Sequence, residues 1–268
     1  MENQDNKTLQ NQFIEYANNS MEMISANDTP RVKQLRQEAL KRFIDNGFPT
    51  KKMEKWRNSR MIECVNEDFN LDKIESKNHD FCCVIRELDT EVISMTNGKF
   101  SEEENLRVLE NGIVIGSTRR AMQKYPELFE KYFGTCNIND NNGFYDINTA
   151  LWQDGFFIYA PKNAVGEKPI QIIKIIDEEN NPFIQTRNLI IVENNAQLQI
   201  IDCDDSIKEQ SSFVNSYTEI FIGENAQLEN YKLQNLNDNS SLLNTNTAKQ
   251  LANSRLQTHT ISFNGGKI

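Results

Sequence analysis

Long apolar runs are missing from this sequence. The longest hydrophobic stretches, such as Ile172-Ile173-Lys174-Ile175-Ile176, have the length of a strand and fall far short of the roughly 20 residues a helix needs to cross a bilayer. Met1-Glu2-Asn3-Gln4-Asp5 has no basic segment leading into an apolar one, so nothing marks the chain for secretion and a cytoplasmic location is expected. Histidine is scarce. With only His79 and His259 in 268 residues, any Ser-His-Asp or Cys-His site must use one of the two. Five cysteines, Cys64, Cys82, Cys83, Cys136 and Cys203, are an odd number without metal-like spacing, which fits reduced thiols filling core space rather than a disulfide framework.

The motifs of common chemistries are missing too. There is no Gly-x-x-x-x-Gly-Lys-Ser/Thr, no Gly-x-Gly-x-x-Gly, no His-Glu-x-x-His, no Gly-x-Ser-x-Gly and no Cys-x-x-Cys. A net charge of -10 argues against nucleic acid as a partner, because phosphate binding needs a basic footprint. Residues 31–60 are the exception. They hold ten basic residues against three acidic ones, a balance of +7 that leaves the remainder at -17. A solvated helix face explains this pattern better than a docking surface for an acidic partner.

Helical spacing fills the first sixty residues. Leu9, Phe13, Tyr16, Ala17 and Ile24 share one stripe. A second helix has Thr29 as N-cap, Pro30 at its first position, Val32, Leu35, Ala39, Leu40, Phe43 and Ile44 as its apolar face, and Gly47 and Pro49 as its stop. Trp56 then reads as an anchor that packs a short helix onto the body of the fold. Strands are expected at Phe81–Ile85, Glu91–Met95 and Gly112–Ile115, with a turn at Asn97-Gly98. Ala121, Met122, Tyr125, Leu128, Phe129 and Phe133 return to helical spacing, broken at Pro126 and closed by Gly134.

After Phe144 the helical period disappears, and strand-like runs of about five residues follow at 156–159, 170–173, 188–192, 198–201, 217–222, 228–233 and 258–263. An Asn-Ala corner follows an apolar strand at Asn163, Asn195 and Asn225, spacings of 32 and 30. One such unit cannot bury its own apolar side chains, whereas a stack can, so the repeat predicts a β-solenoid. Asn suits the corners because it tolerates left-handed backbone angles. The expected fold is therefore mainly β, with a helical or α+β amino-terminal domain over 1–143 and the first coils of a solenoid over 144–268. A two-sheet sandwich built from hairpins is the alternative.

Little in this pattern points to chemistry. His79 lies in a polar loop. His259 shares strand parity with Ile261 and Phe263, which predicts an inward core histidine. Asp202-Cys203-Asp204-Asp205 could bind a hard cation or serve a glycan-cleaving site, but solvated turn acids are the simpler expectation. Gln197, Gln199 and Asn230 fit polar rows on the stack. No catalytic, cofactor-binding or metal-binding residue is assigned.

Two segments go beyond pattern. Gly47-Phe48-Pro49-Thr50-Lys51-Lys52-Met53-Glu54-Lys55-Trp56-Arg57 resembles the Gly-Leu-Pro-Thr-x-x-x-Glu-x-Trp-Lys stretch of the SufB/SufD family of the SUF iron-sulfur cluster assembly machinery, on its SufD branch. Asn148-Thr149-Ala150-Leu151-Trp152-Gln153-Asp154-Gly155-Phe156-Phe157-Ile158-Tyr159-Ala160-Pro161-Lys162-Asn163 with Lys168-Pro169-Ile170-Gln171-Ile172 looks like the opening of that family's β-helix. The resemblance implies a right-handed parallel β-helix and a non-enzymatic scaffold that pairs with a SufB-like subunit and a SufC-like ATPase. The complex would handle iron-sulfur clusters, with FAD among its candidate cofactors and none bound by this chain. The family's β-helix continues where this chain stops, so the sequence reads as an amino-terminal fragment. It would lack the ATPase-docking segment and could self-associate through its cut end. The competing expectations are a β-helix enzyme acting on polysaccharide and a stand-alone binding module.

Overall fold

Thr29 and Pro30 start a helix, as their chemistry predicts. The computed structural model describes residues 2–64, 69–71, 88–100, 106–136 and 142–268, with side chains from Leu9 onward. Helix α1, Glu2–Ile24, buries Leu9, Phe13, Ala17 and Ile24. Helix α2, Pro30–Asn46, begins where Thr29 Oγ1 accepts the Val32 N–H at 3.4 Å. It ends at Gly47, whose φ of 66° is cheap without a Cβ. Its buried face is Val32, Arg36, Ala39 and Phe43. Ile44, expected on that face, is 45% exposed instead, because the buried stripe turns to include Arg36. A 3₁₀ turn at Glu54–Trp56 lays Trp56 on Phe144 at 5.4 Å, the anchoring expected of it. Helix α3 is Met61–Cys64.

Strand β1, Glu91–Thr96, runs into the Asn97-Gly98 turn, where φ is 51° and 77°. β2, Leu106–Val108, and β3, Val114–Ser117, follow. Ser117 Oγ then caps α4, Thr118–Lys124, by accepting the Arg120 N–H at 3.1 Å. Pro126 opens α5, Pro126–Tyr132. Helix α6, Gly143–Leu151, is the element the sequence does not show. All nine of its residues are buried, so no polar face reveals the helical period.

The remaining strands are β4 (Phe156–Ala160), β5 (Ile170–Ile176), β6 (Phe183–Val192), β7 (Gln197–Ser206), β8 (Phe213–Ile222), β9 (Gln227–Asn235), β10 (Ser241–Gln250) and β11 (Arg255–Asn264). They alternate between two sheets, β1-β5-β7-β9-β11 and β10-β8-β6-β4-β3-β2, and from β4 to β11 every pairing is parallel. The result is a parallel β-helix with a helical amino-terminal region, and the hairpin sandwich is ruled out. Ile158, Ile190 and Ile220 lie in one row, at the same 32 and 30 spacing as the corner asparagines. Those corners hold φ of 64° at Asn163, 61° at Asn195 and 57° at Asn225, and Asn253 adds a fourth at 57°. Asn195 Nδ2 donates to Asn163 Oδ1 at 2.9 Å and Asn225 Nδ2 to Asn195 Oδ1 at 3.2 Å, a carboxamide ladder along the stack.

Five of these strands reach ten residues, twice the length expected, and β10 is wholly unforeseen. Two effects hide them. The inner face of the stack carries polar side chains in its later coils, and the outer face of the β4-β6-β8 sheet is apolar because helices cover it. Leu189, Ile191 and Phe221 sit under Ala121, Met122, Phe129 and Phe133 of α4, α5 and the residue after. Phe183 and Phe213, 4.6 Å apart, sit under α1, α2 and α6.

Candidate functional site

Inside the stack, one row of side chains runs Ile93, Ile172, Asp202, Lys232 and Thr260, and the next runs Met95, Lys174, Asp204, Gln234 and Ser262. Both rows share the parity of buried Leu198, Ile200 and Leu228, so they face inward. Neighbouring coils therefore bring opposite charges together. Lys174 Nζ lies 2.6 Å from Asp202 Oδ1 and 3.0 Å from Asp204 Oδ1. Lys232 Nζ lies 3.1 Å from Asp202 Oδ2 and also meets Asp204 Oδ2. The four charges cancel, and no carboxylate oxygen of the pair is left without an ammonium.

Burial alone would push the Lys174 ammonium down, but Asp202 and Asp204 outweigh it and hold the pKa well above the ordinary lysine value. The same contest settles the other way for Asp202. Burial would raise it, and Lys174 and Lys232 bring it below the usual carboxylate range. The expectation of solvated turn acids is thus corrected: β7 continues through Ser206, so Asp202 and Asp204 are strand residues pointing into the core. Their alternation with Leu198 and Ile200, and the matching run Leu228, Asn230, Lys232, Gln234 one coil later, is the signal that could have revealed them.

Two further ion pairs lie beneath the helical cover. Arg187 Nη2 donates to Glu219 Oε1 at 2.8 Å, both fully buried, and Nη1 donates to Thr149 Oγ1 at 2.9 Å. The guanidinium lies 4.2 Å from the Tyr217 ring centroid. Glu219 also accepts the N–H groups of Gly134 and Cys136 at 2.9 and 3.1 Å, fastening the segment after α5 to β8. Arg36 Nε meets Asp28 Oδ2 at 2.5 Å, and its Nη1 donates to the carbonyls of Ala150 and Trp152 at the end of α6. Burial draws Arg36 down to about 10 against the pull of Asp28, which still leaves it charged at neutral pH. Neither arginine reads as internal in the sequence: Arg36 is one of the ten basic residues of 31–60, and no pattern singles out Arg187.

The cysteines do not converge. Cys64 is buried in α3. Cys203 points away from the acids beside it and takes a hydrogen bond from Gln171 Nε2 at 3.9 Å. Burial, reinforced by Glu219, pushes the Cys136 thiol up to about 11. His259 is not the inward residue its parity suggested. It pairs in register with Tyr231 on the outer face and stacks on that ring at 5.1 Å, exposed like Ile261 and Phe263. His79, Cys82, Cys83 and the expected strand at 81–85 lie outside the described residues. Among the described residues there is no group of three or more His, Cys, Asp or Glu able to hold a metal ion, and no helix is long and apolar enough to cross a membrane. Of the basic region, Arg36 is buried and Arg42 Nε pairs with Asp146 at 2.7 Å, while Lys33, Lys41, Lys51, Lys52, Arg57 and Arg60 face solvent.

Comparison with known sequences accounts for nearly the whole chain. Residues 7–172 match the SufBD protein N-terminal region, and residues 175–268 match the SufBD core domain of the SUF FeS cluster assembly system. An iron-sulfur cluster assembly SufBD family protein of Staphylococcus aureus (strain MRSA252) is 34% identical over 131 residues. One from Staphylococcus saprophyticus is 31% identical over the same length. In both cases the match covers 48% of this chain and 28% of the relative, so the chain aligns with less than a third of these relatives.

Proposed function

The chain belongs to the SufBD family, and on that premise we propose that it is a non-catalytic scaffold subunit of a SUF-type iron-sulfur cluster assembly complex. In this reading it is the SufD-type member, supported by the Gly47 to Arg57 segment. It works in the cytoplasm beside a SufB-like subunit, and a SufC-like ATPase supplies the hydrolysis. The cluster is cargo of the complex, and this chain holds no cofactor of its own.

The observation that carries the reading is the closed interior. Lys174, Lys232, Asp202 and Asp204 neutralise one another inside the stack, and a set of charges locked in that way specifies coil register instead of offering a proton or a ligand to a substrate. Co-expression of the full-length gene product with SufB-like and SufC-like proteins tests it. A stable complex that survives purification is the expected result. Failure of any complex to form, or cleavage of an acidic polysaccharide by the isolated chain, overturns it.

A further inference from the structure

The outer row that runs Ile191, Phe221 and Lys249 through β6, β8 and β10 changes character where the helical cover ends. Ile191 and Phe221 are buried in the cluster beneath α4 and α5, while Lys249 is exposed. Between α5 and β10 this leaves a groove of about 540 Å³, open to solvent. Phe221 lies in it with the Tyr132 ring tilted against it at 5.0 Å, and Leu251, 48% exposed, extends the apolar lining. The polar groups of the groove are not equivalent. Glu193 accepts the Tyr132 hydroxyl at 2.6 Å and lies 3.6 Å from Lys131 Nζ, so its charge is already answered. Burial and the Glu193 carboxylate hold the Tyr132 pKa above its ordinary value, which keeps the hydroxyl protonated as the donor of that bond. Glu219, the register partner of Thr247 on β10, is taken by Arg187. Lys249 therefore has no ion pair among the described residues, and its ammonium stands beside an apolar surface in a protein of net charge -10. A groove of about 470 Å³ at β1 and β5 differs on this point, because Arg107 meets Glu91 at 3.3 Å and Lys168 meets Asp89 at 2.9 Å.

We propose that the groove between α5 and β10 binds a small arylalkyl carboxylate, with its carboxylate on Lys249 and its ring against Phe221 and Tyr132. A ligand of this class matches each surface in turn: one carboxylate for one unpaired ammonium, and one flat apolar body for the aromatic lining. An inorganic anion would leave that lining wet, and a neutral arene would leave the cation unanswered. The volume falls within the roughly 300–1,000 Å³ of small-molecule sites. This inference rests on the groove and its one unpaired cation, and is independent of the scaffold reading.

Titration of the 268-residue chain with hydrocinnamate, followed by amide proton-nitrogen NMR, tests it. Saturable shifts are expected at Phe221, Lys249 and Leu251, with a Kd on the order of millimolar for a ligand this small. Hydrocinnamamide, the neutral isostere, and acetate, which has no ring, should each bind about fivefold more weakly or worse. Lys249→Met should lose the same factor at unchanged thermal stability, and Lys249→Arg should keep the binding. Lys168→Met, a change of equal charge in the other groove, should leave it unaffected. Absence of saturation up to about 20 mM, equal affinity for the amide, or a Lys249→Met variant that binds like the wild type overturns the proposal. So does tighter binding of a peptide ending in phenylalanine, which makes the groove a docking site for a protein terminus.

Discussion

Replacing Asp202 by Asn leaves Lys174 and Lys232 sharing one carboxylate, Asp204, where water is largely excluded. Breaking a buried pair from one side costs about 3–5 kcal/mol, whereas removing both partners in favour of apolar groups is often neutral. Asp202→Asn should therefore lower stability by that order. The double change Asp202→Leu with Lys232→Met keeps the Lys174–Asp204 contact at 3.0 Å and a net charge of zero, and should recover most of the loss. Urea unfolding of the wild type, Asp202→Leu, Lys232→Met and the double variant measures it; a double variant as unstable as the two single losses added would refute the argument. The pH dependence follows from the same residue. The folded pKa of Asp202 is depressed, so its contribution is complete above the unfolded value near pH 4 and is lost as pH falls through the folded value. Asp154 works the other way, because burial raises it although Ser117 Oγ and the Gly155 and Arg119 N–H groups donate to it, so its protonation offsets part of the acid loss. Acid unfolding followed by circular dichroism should start at a lower pH in the double variant than in the wild type.

At the scale of elements, the corners are where one residue type decides the turn. Asn195 holds φ at 61° and joins Asn163 and Asn225 in the carboxamide ladder. An Ala there must take a left-handed conformation at a cost of about 1–2 kcal/mol, while Gly takes it freely and loses only the exposed ladder. Asn195→Ala should lower thermal stability by that order and Asn195→Gly by less. If Gly is no better than Ala, the ladder and not the backbone angle holds the corner. These corners were legible because a positive φ restricts residue choice at fixed spacing, and so were the start of α2, the Pro126 break and the stacked architecture. The rest was hidden where burial overrides polarity. Asp202 and Asp204 read as turn acids after a strand but continue it inside the stack, and Leu189, Ile191 and Phe221 are apolar on the face a solitary sheet would turn to water. Helix α6, buried all round, left no period to find.

For the whole molecule, the question is how the coils hold together. A stack with contacts only between neighbouring coils can open one coil at a time. Here the helical region bridges several coils at once. From α6, Asn148 Nδ2 donates to the carbonyl of Thr186 in β6 at 3.0 Å and to that of Asn215 in β8 at 2.9 Å, while Asn215 Nδ2 donates back to the Phe144 carbonyl at 2.8 Å. Arg187 and Glu219 tie the same two strands to Thr149 and Gly134, and Arg36 ties α2 to α6. The segments 1–143 and 144–268 are proposed as units of architecture, yet Phe13 and Phe48 share one core with Phe144, Phe183 and Phe213 across that division. Unfolding should accordingly be a single transition, in which tryptophan fluorescence, reporting Trp56 on Phe144 and Trp152 beneath α2, and far-ultraviolet circular dichroism, reporting the strands, coincide along one urea curve. Residues 144–268 produced alone should expose Leu189, Ile191, Phe221, Phe183 and Phe213 on one sheet face and aggregate. Two separated transitions, or a soluble and cooperatively folded 144–268, would show that the coils stand without their helical cover and that the buried arginines are not what binds the two segments into one unit.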